Sequence, residues 1–133
     1  DEPELDPVII DAAVSILGDS VMATAACALQ EDEIDNENVV KVQINGCHAS
    51  DFSRTNIDGA FRHIGLYVYT PDFLQRYVEM QPTQNEISRK LEQMRALDNG
   101  FSIAVAMVAP QPSGIDTRDQ YEEFVRRQGS GTP

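Results

Sequence analysis

His63 and Tyr67, whose side chains can bind ligands, lie two positions to either side of Gly65 in the segment RHIGLYVY, residues 62–69. The alternation of this segment predicts a β-strand in which His63, Gly65 and Tyr67 share one face, with neighbouring side chains about 6.6 Å apart. Glycine in the middle leaves a hollow between an imidazole and a phenol. Two interpretations are open. The hollow is the floor of a polar pocket, or the face lies under a helix, where glycine permits close packing and the histidine is satisfied internally.

Glu92 and Gln93 form a second candidate pair, within residues 85–97, which have the period of a helix. The apolar side of that predicted helix carries Ile87, Leu91 and Met94. At about 100° per residue, Glu92 and Gln93 lie well off this side. A carboxylate and an amide in this position suit the hydroxyl groups of a polyol, and a solvated helix surface explains the same pattern.

Asp1 and Asp116 are carboxylates placed just ahead of predicted helices. Asp116 precedes Thr117, which forms a capping box with Gln120, and α/β folds hold ligands and metals at strand-to-helix turns. Two such carboxylates suit Mg²⁺, which prefers oxygen ligands. The alternative is that both are helix-start residues favoured by the helix dipole. Arg54, in the run DFSR, faces either an anion or solvent.

Alternating strands and helices are predicted to position these side chains. The predicted strands are residues 21–29, 39–44, 62–69 and 101–109, with a weaker strand at 47–54 that follows the Asn45-Gly46 hairpin turn. The predicted helices are residues 7–17, 71–80, 85–97 and 117–128. This order indicates an α/β fold with a mixed sheet.

Composition narrows the classes of partner. The net charge of -12 argues against nucleic acid or an anionic membrane surface. No apolar run approaches the roughly 20 residues that span a membrane. The unpatterned Cys27 and Cys47 indicate a reducing compartment, although one disulfide stays open. The chain opens on Asp1 without an initiator methionine, which suggests an excised segment, and residues 129–133 (GSGTP) suggest a flexible tail.

Six short motifs, in order, resemble those of one enzyme family, the 3-deoxy-manno-octulosonate (Kdo) cytidylyltransferases or CMP-Kdo synthetases. Residues 1–3 (DEP) look like the end of that family's GDEP motif, and residues 38–42 (NVVKV) like its N-x-VKV strand. Residues 52–54 match its FSR motif, and residues 62–69 are similar to its RHLGIYGY. Residues 81–82 (QP), Glu86 and residues 91–95 (LEQMR) match its QP…E…LEQLR run, and residues 114–117 (GIDT) resemble GVDT.

The resemblance implies the second half of a mixed-sheet, Rossmann-like nucleotide-diphospho-sugar transferase fold. Residues 1–127 would be its sugar-binding and dimerisation part, and residues 128–133 a tail. The family is implied to be cytoplasmic and homodimeric, joining CTP to Kdo for lipopolysaccharide synthesis with release of pyrophosphate. By the same resemblance, Asp1 and Asp116 would be the catalytic Mg²⁺ ligands. The sugar acid's carboxylate and hydroxyls would be bound by Arg54, His63, Tyr67, Glu92 and Gln93.

The chain also departs from the family pattern. The glycine-bearing and basic CTP loop of the N-terminal half is absent from this sequence, so the segment alone is expected not to turn over. Asp51 replaces an aromatic residue, Arg89 replaces a glutamate, and the loop between Arg54 and Arg62 is short. Two alternatives follow: a diverged, non-catalytic sugar-acid binding or dimerisation module, or a cytidylyltransferase for another sugar acid such as a sialic acid.

Overall fold

The computed structural model describes residues 7–110. Its strands are β1 (Met22–Cys27), β2 (Lys41–Asn45), β3 (His48–Ser53), β4 (Phe61–Tyr69) and β5 (Ile103–Met107). Its helices are α1 (Pro7–Leu17), α2 (Pro71–Glu79), α3 (Gln84–Arg89) and α4 (Met94–Asp98), with a short 3-10 helix at Glu31–Glu33. The predicted helix at 117–128, the predicted tail, Asp1 and Asp116 all lie outside these residues.

One mixed sheet contains all five strands, in the order β1-β4-β2-β3-β5. β1 and β5 run parallel, and the other neighbouring pairs run antiparallel. The edges meet where His48 pairs with Ala104 and the Val105 N–H donates to the Cys47 carbonyl at 2.8 Å, which closes the sheet into a barrel. The predicted α/β class with a mixed sheet is confirmed, whereas this closure was not predicted.

Helices pack on both faces of the sheet. On one face, α1 packs through Ile9 and Ala13 against an aliphatic layer made of Ala23, Ala25, Ile64 and Ala104. The other face carries the larger core, which includes Met22, Val42, Phe52, Phe73, Tyr77, Leu91 and Met94. Every residue of β1 is buried, because this central strand is covered on both sides, as its unbroken apolar run predicts.

The hairpin between β2 and β3 forms where it was predicted. Gly46 adopts a φ of +68°, a conformation that glycine takes without a Cβ penalty. The weakly predicted return strand pairs from His48 opposite Asn45 to Ser53 opposite Lys41, with one bulge at Ser50. Pairing with β2 supplies backbone hydrogen bonds that stabilise this strand, although its polar sequence predicts a strand only weakly.

The single helix predicted over residues 85–97 is wrong. The structure has two short helices, because Lys90 adopts a left-handed conformation with φ of +58° and the Leu91 N–H bonds back to the Glu86 carbonyl at 3.2 Å. The break rotates the two halves relative to each other. Leu91 and Met94 are buried as predicted, but Ile87 is 62% exposed.

Helix α2 begins as predicted. The Thr70 side chain accepts a hydrogen bond from the Phe73 N–H, and proline occupies the first helical turn. Its buried side is narrower than its apolar pattern: Phe73 and Tyr77 are buried, whereas Leu74 and Val78 are 45% and 68% exposed. No helix within residues 7–110 is long and apolar enough to cross a membrane.

Candidate functional site

Gly65, where the hollow was predicted, lies at a bulge of β4. Ala23 pairs with Val68 and Ala25 pairs with Ile64, so residues 65–67 of β4 together lie opposite Thr24 of β1. A Cβ placed on Gly65 would meet no atom within 4 Å. Gly65 therefore does not serve close packing under a helix, and open space remains beside the strand.

His63 and Tyr67 flank this glycine, as the alternation predicts. Their ring centroids are 5.5 Å apart, and the His63 ring also meets the Phe52 ring edge-on at 5.1 Å. His63 is 7% exposed, and burial lowers its pKa to about 3, so the imidazole is neutral near pH 7. Its Nε2 lies 2.8 Å from the Thr24 hydroxyl oxygen, so one ring nitrogen is satisfied internally.

The Glu92 carboxylate acts electrostatically on the tyrosines of this face. Burial raises the pKa of Tyr67, and the neighbouring Tyr69, Tyr77 and Glu92 raise it further. The pKa of Tyr69 is raised by burial and by the same Glu92 carboxylate. An exposed carboxylate therefore acts on neutral phenols that share a strand face with His63.

Gln93 is buried rather than solvated. It is 4% exposed, and within residues 7–110 its Nε2 is the one fully buried side-chain nitrogen or oxygen that lacks a hydrogen-bond partner. An unpaired buried amide costs about 1–3 kcal/mol, so such groups need an explanation. The interpretation that Gln93 lies on a solvated helix surface is therefore wrong. Its side-chain amide is a buried hydrogen-bond donor without an acceptor.

Hydrogen bonds from two directions fix the segment that carries Glu92 and Gln93. The Tyr77 hydroxyl donates to the Glu92 carbonyl at 2.8 Å. Arg54 donates from Nε to the Arg89 carbonyl and from Nη2 to the Lys90 carbonyl, both at 3.2 Å.

Arg54 itself is placed at the turn before Leu91, in a cleft of about 410 Å³ that Asp51, Ser53 and Arg89 also line. Its Nη1 donates to the Glu37 carbonyl at 3.0 Å. These bonds use three of the five N–H groups of a guanidinium, which leaves two for another acceptor.

Both predicted metal ligands lie outside the described residues. Within residues 7–110, no group of three or more His, Cys, Asp or Glu side chains could hold a metal ion. The expectation of Mg²⁺ therefore rests on Asp1 and Asp116, both outside this range.

Thr24, Tyr69 and Tyr77 were not assigned a role from the sequence. Tyr69 follows Tyr67 by two positions, so the same alternation places it on the same face. Thr24 stands in the apolar run VMATAACAL, and a buried polar side chain in such a run needs a partner. No sequence signal joins Tyr77 to Glu92, because the break at Lys90 sets their proximity.

A buried ion pair supports the same region. Arg95 donates from Nε to Glu86 Oε1 at 2.8 Å and from Nη2 to Glu86 Oε2 at 2.5 Å. The Arg95 guanidinium also lies 4.8 Å from the centroid of the Tyr77 ring. Glu86 completes a capping box with Thr83. Glu86 and Lys90 are four positions apart, as in helical ion pairs, but α3 ends at Arg89 and Glu86 pairs with Arg95 instead.

We expect the stability contributed by Glu86 to depend on pH. The Arg95 hydrogen bonds lower the pKa of Glu86 below its ordinary 4.5, so its contribution is complete above the unfolded-state pKa and is lost as pH falls through the folded-state pKa. At pH 7, Glu86→Gln should lower the free energy of unfolding by about 1.5–3 kcal/mol.

Urea unfolding at pH 7 and in acid tests this expectation. The difference between the two proteins should shrink as pH falls below about 4.5, where wild-type Glu86 also becomes neutral. A difference that stays the same across this range would contradict the assignment. Subtracting the variant's curve removes the acid sensitivity of the other carboxylates.

Comparison with known proteins identifies the fold and the relatives. No family model matches the chain. It is 36% identical to a 3-deoxy-manno-octulosonate cytidylyltransferase of Rhodopirellula baltica, over 96% of this chain and 59% of that protein. It is 40% identical to one of Polynucleobacter asymbioticus, over 92% of this chain and 55% of that protein. A solved structure of CMP:2-keto-3-deoxy-manno-octonic acid synthetase complexed with CTP superposes with a TM-score of 0.88 at 27% identity, covering 99% of this chain and 60% of that one.

The chain is related to part of the 3-deoxy-manno-octulosonate cytidylyltransferases. The predicted family and its second-half fold are confirmed, and the chain spans about three fifths or less of the length of these relatives. An inositol-1-phosphate CTP transferase from T. maritima shares the fold more distantly, with a TM-score of 0.57 at 18% identity.

Proposed function

We propose that this chain is the sugar-acid-binding part of an enzyme that transfers CMP from CTP to 3-deoxy-D-manno-octulosonate, releasing pyrophosphate, in lipopolysaccharide synthesis. One observation carries the proposal: the amide of Gln93 is buried and unpartnered, and its neighbour Glu92 carries a charge that acts on Tyr67, which shares a face with His63. Such a donor is explained by a ligand acceptor.

The proposed ligand fits the chemistry of this face. A sugar acid presents several hydroxyls, which both donate and accept hydrogen bonds. Neutral imidazole, phenol and amide groups supply matching partners, and the Glu92 carboxylate accepts from hydroxyls. We assign the sugar's carboxylate to Arg54, which keeps one N–H on Nη1 and one on Nη2 for a further acceptor.

We assign the remaining requirements of the proposed nucleotidyl transfer to the complete protein. Nucleotidyl transfer depends on in-line positioning and on neutralising the phosphates. Asp1 and Asp116 are the proposed ligands of a Mg²⁺ that supplies this neutralisation when bound. We also propose a homodimer working in the cytoplasm, with no nucleic-acid or membrane partner.

Two departures from the family pattern compensate each other. Arg89 Nη1 lies 2.6 Å from Asp51 Oδ1 and donates to the Phe52 carbonyl at 2.8 Å. The residues that replace a glutamate and an aromatic residue therefore pair with each other and keep α3 attached to β3. This compensation supports a maintained site.

Calorimetry and product assays together test the proposal. The chain should bind Kdo more tightly than a sialic acid, and it should release no pyrophosphate with CTP, Kdo and Mg²⁺. The longer protein that includes a CTP-binding half should release it. Failure of the chain to bind Kdo would remove the sugar-site assignment.

A non-catalytic sugar-acid binding module is the second candidate, favoured by the short loop between Arg54 and Arg62, which departs from the family pattern. It predicts Kdo binding by the chain without pyrophosphate release from the longer protein. Preferred binding of the sialic acid would instead indicate transfer to another sugar acid.

A further inference from the structure

Thr24 is a fully buried hydroxyl at the bulge of β4. Its Oγ1 lies 2.6 Å from the Leu66 carbonyl oxygen, 3.2 Å from the Ile64 carbonyl oxygen and 2.8 Å from His63 Nε2. Three groups therefore surround an oxygen that carries one hydrogen. Two of the three are carbonyls, which can only accept.

The carbonyls decide where the hydroxyl hydrogen goes. If Thr24 donated to His63, its oxygen would face the Leu66 carbonyl oxygen at 2.6 Å with no hydrogen between them, which is repulsive. Donation to the Leu66 carbonyl removes that conflict and leaves Oγ1 as an acceptor towards His63. The hydrogen bond at 2.8 Å then requires a hydrogen on Nε2 of the imidazole.

The rest of the imidazole follows from its charge. Burial lowers the pKa of His63 to about 3, so near pH 7 the ring carries one N–H. With that hydrogen on Nε2, Nδ1 keeps a lone pair and acts as an acceptor. The Phe52 and Tyr67 rings on either side limit rotation of the imidazole.

We propose that Thr24 is a positioning residue that holds His63 as its Nε2–H tautomer, so that Nδ1 accepts a hydrogen bond from a sugar hydroxyl. An acceptor at Nδ1 repels a carboxylate oxygen. His63 thus distinguishes the hydroxyl side of the sugar acid from its carboxylate side. The ligand half of this inference rests on the proposed function, whereas the tautomer does not.

Long-range ¹H–¹⁵N spectra of the ¹⁵N-histidine-labelled chain test the tautomer without any ligand. Wild-type His63 should show a protonated Nε2 and an unprotonated Nδ1 at pH 7. Thr24→Ser keeps the hydroxyl and should preserve this pattern. Thr24→Val keeps the shape but removes the oxygen, and should give a tautomer mixture or a switch to Nδ1–H.

Kdo titration of the same proteins tests the ligand half. Thr24→Val should bind Kdo about ten-fold more weakly, as expected for one misdirected hydrogen bond, and Thr24→Ser should bind within about two-fold of wild type. A wild-type Nδ1–H tautomer would overturn the inference, as would a Thr24→Val protein with an unchanged tautomer and a lower melting temperature, which marks a merely structural role.

Two outcomes separate the possible failures. If Thr24→Val does not fold, the wild-type and Thr24→Ser spectra still decide the tautomer. If wild type shows the expected tautomer but binds no Kdo, the proposed function fails and the ligand half fails with it, while the positioning of His63 stands.

Discussion

Replacing Gln93 with leucine should weaken Kdo binding at least ten-fold while making the free chain more stable. A single atom, Gln93 Nε2, explains why Kdo binding becomes weaker while the free chain becomes more stable. The buried Nε2 has no partner in the free protein, so its desolvation is uncompensated, and a ligand acceptor would recover it. Leucine of similar size removes both the penalty and the ligand contact.

The stability gain should be about 1 kcal/mol, or a rise in melting temperature of about 3–5 °C. Calorimetric melting and Kdo titration measure the two effects on one sample. Gln84→Leu is the matched control, since Gln84 is an exposed residue at the start of α3, and it should leave both quantities unchanged. A Gln93→Leu protein that loses stability would show that the amide has a structural partner.

Replacing Phe73 with alanine should lower the free energy of unfolding by about 3–5 kcal/mol. Phe73 is 2% exposed and lies at the centre of the aromatic cluster in the larger core of the sheet. Its ring centroid is 4.9 Å from that of Phe101, 6.0 Å from Tyr77 and 6.1 Å from Tyr69. Alanine leaves a cavity that these three rings cannot fill without moving.

Such a loss is large for a domain whose total stability is typically about 5–15 kcal/mol. Urea unfolding followed by circular dichroism measures it. Leu74→Ala, one residue along α2, is the control: Leu74 is 45% exposed, so its loss should stay below about 1 kcal/mol. Equal losses for the two variants would place the centre of the core elsewhere.

The parts of the fold that were predicted correctly from the sequence depend on interactions between neighbouring residues. The capping threonine and proline at Thr70-Pro71, the glycine turn at Gly46 and the unbroken apolar run of β1 each act through neighbouring residues. Each of these elements forms as predicted. The alternation of β4 likewise placed His63, Tyr67 and Tyr69 on the face opposite Ile64.

The sequence pattern could not predict the helix break at Lys90. Residues 85–97 contain no proline or glycine, and lysine is a good helix former. Groups far away in the sequence hold Lys90 in its left-handed conformation. Arg54 donates hydrogen bonds to the Arg89 and Lys90 carbonyls, and Tyr77 donates one to the Glu92 carbonyl. Tertiary hydrogen bonds outweighed local helix propensity here.

The sequence by itself determined the family, the mixed α/β class and the strand face that carries His63, Gly65 and Tyr67, because motifs and alternation are properties of neighbouring residues. Only the tertiary structure decided that Gln93 is buried and unpartnered, that Tyr77 donates to the Glu92 carbonyl, and that Thr24 bonds His63 across two strands. These contacts join residues far apart in the chain, and their distances depend on the bulge in β4 and the break at Lys90.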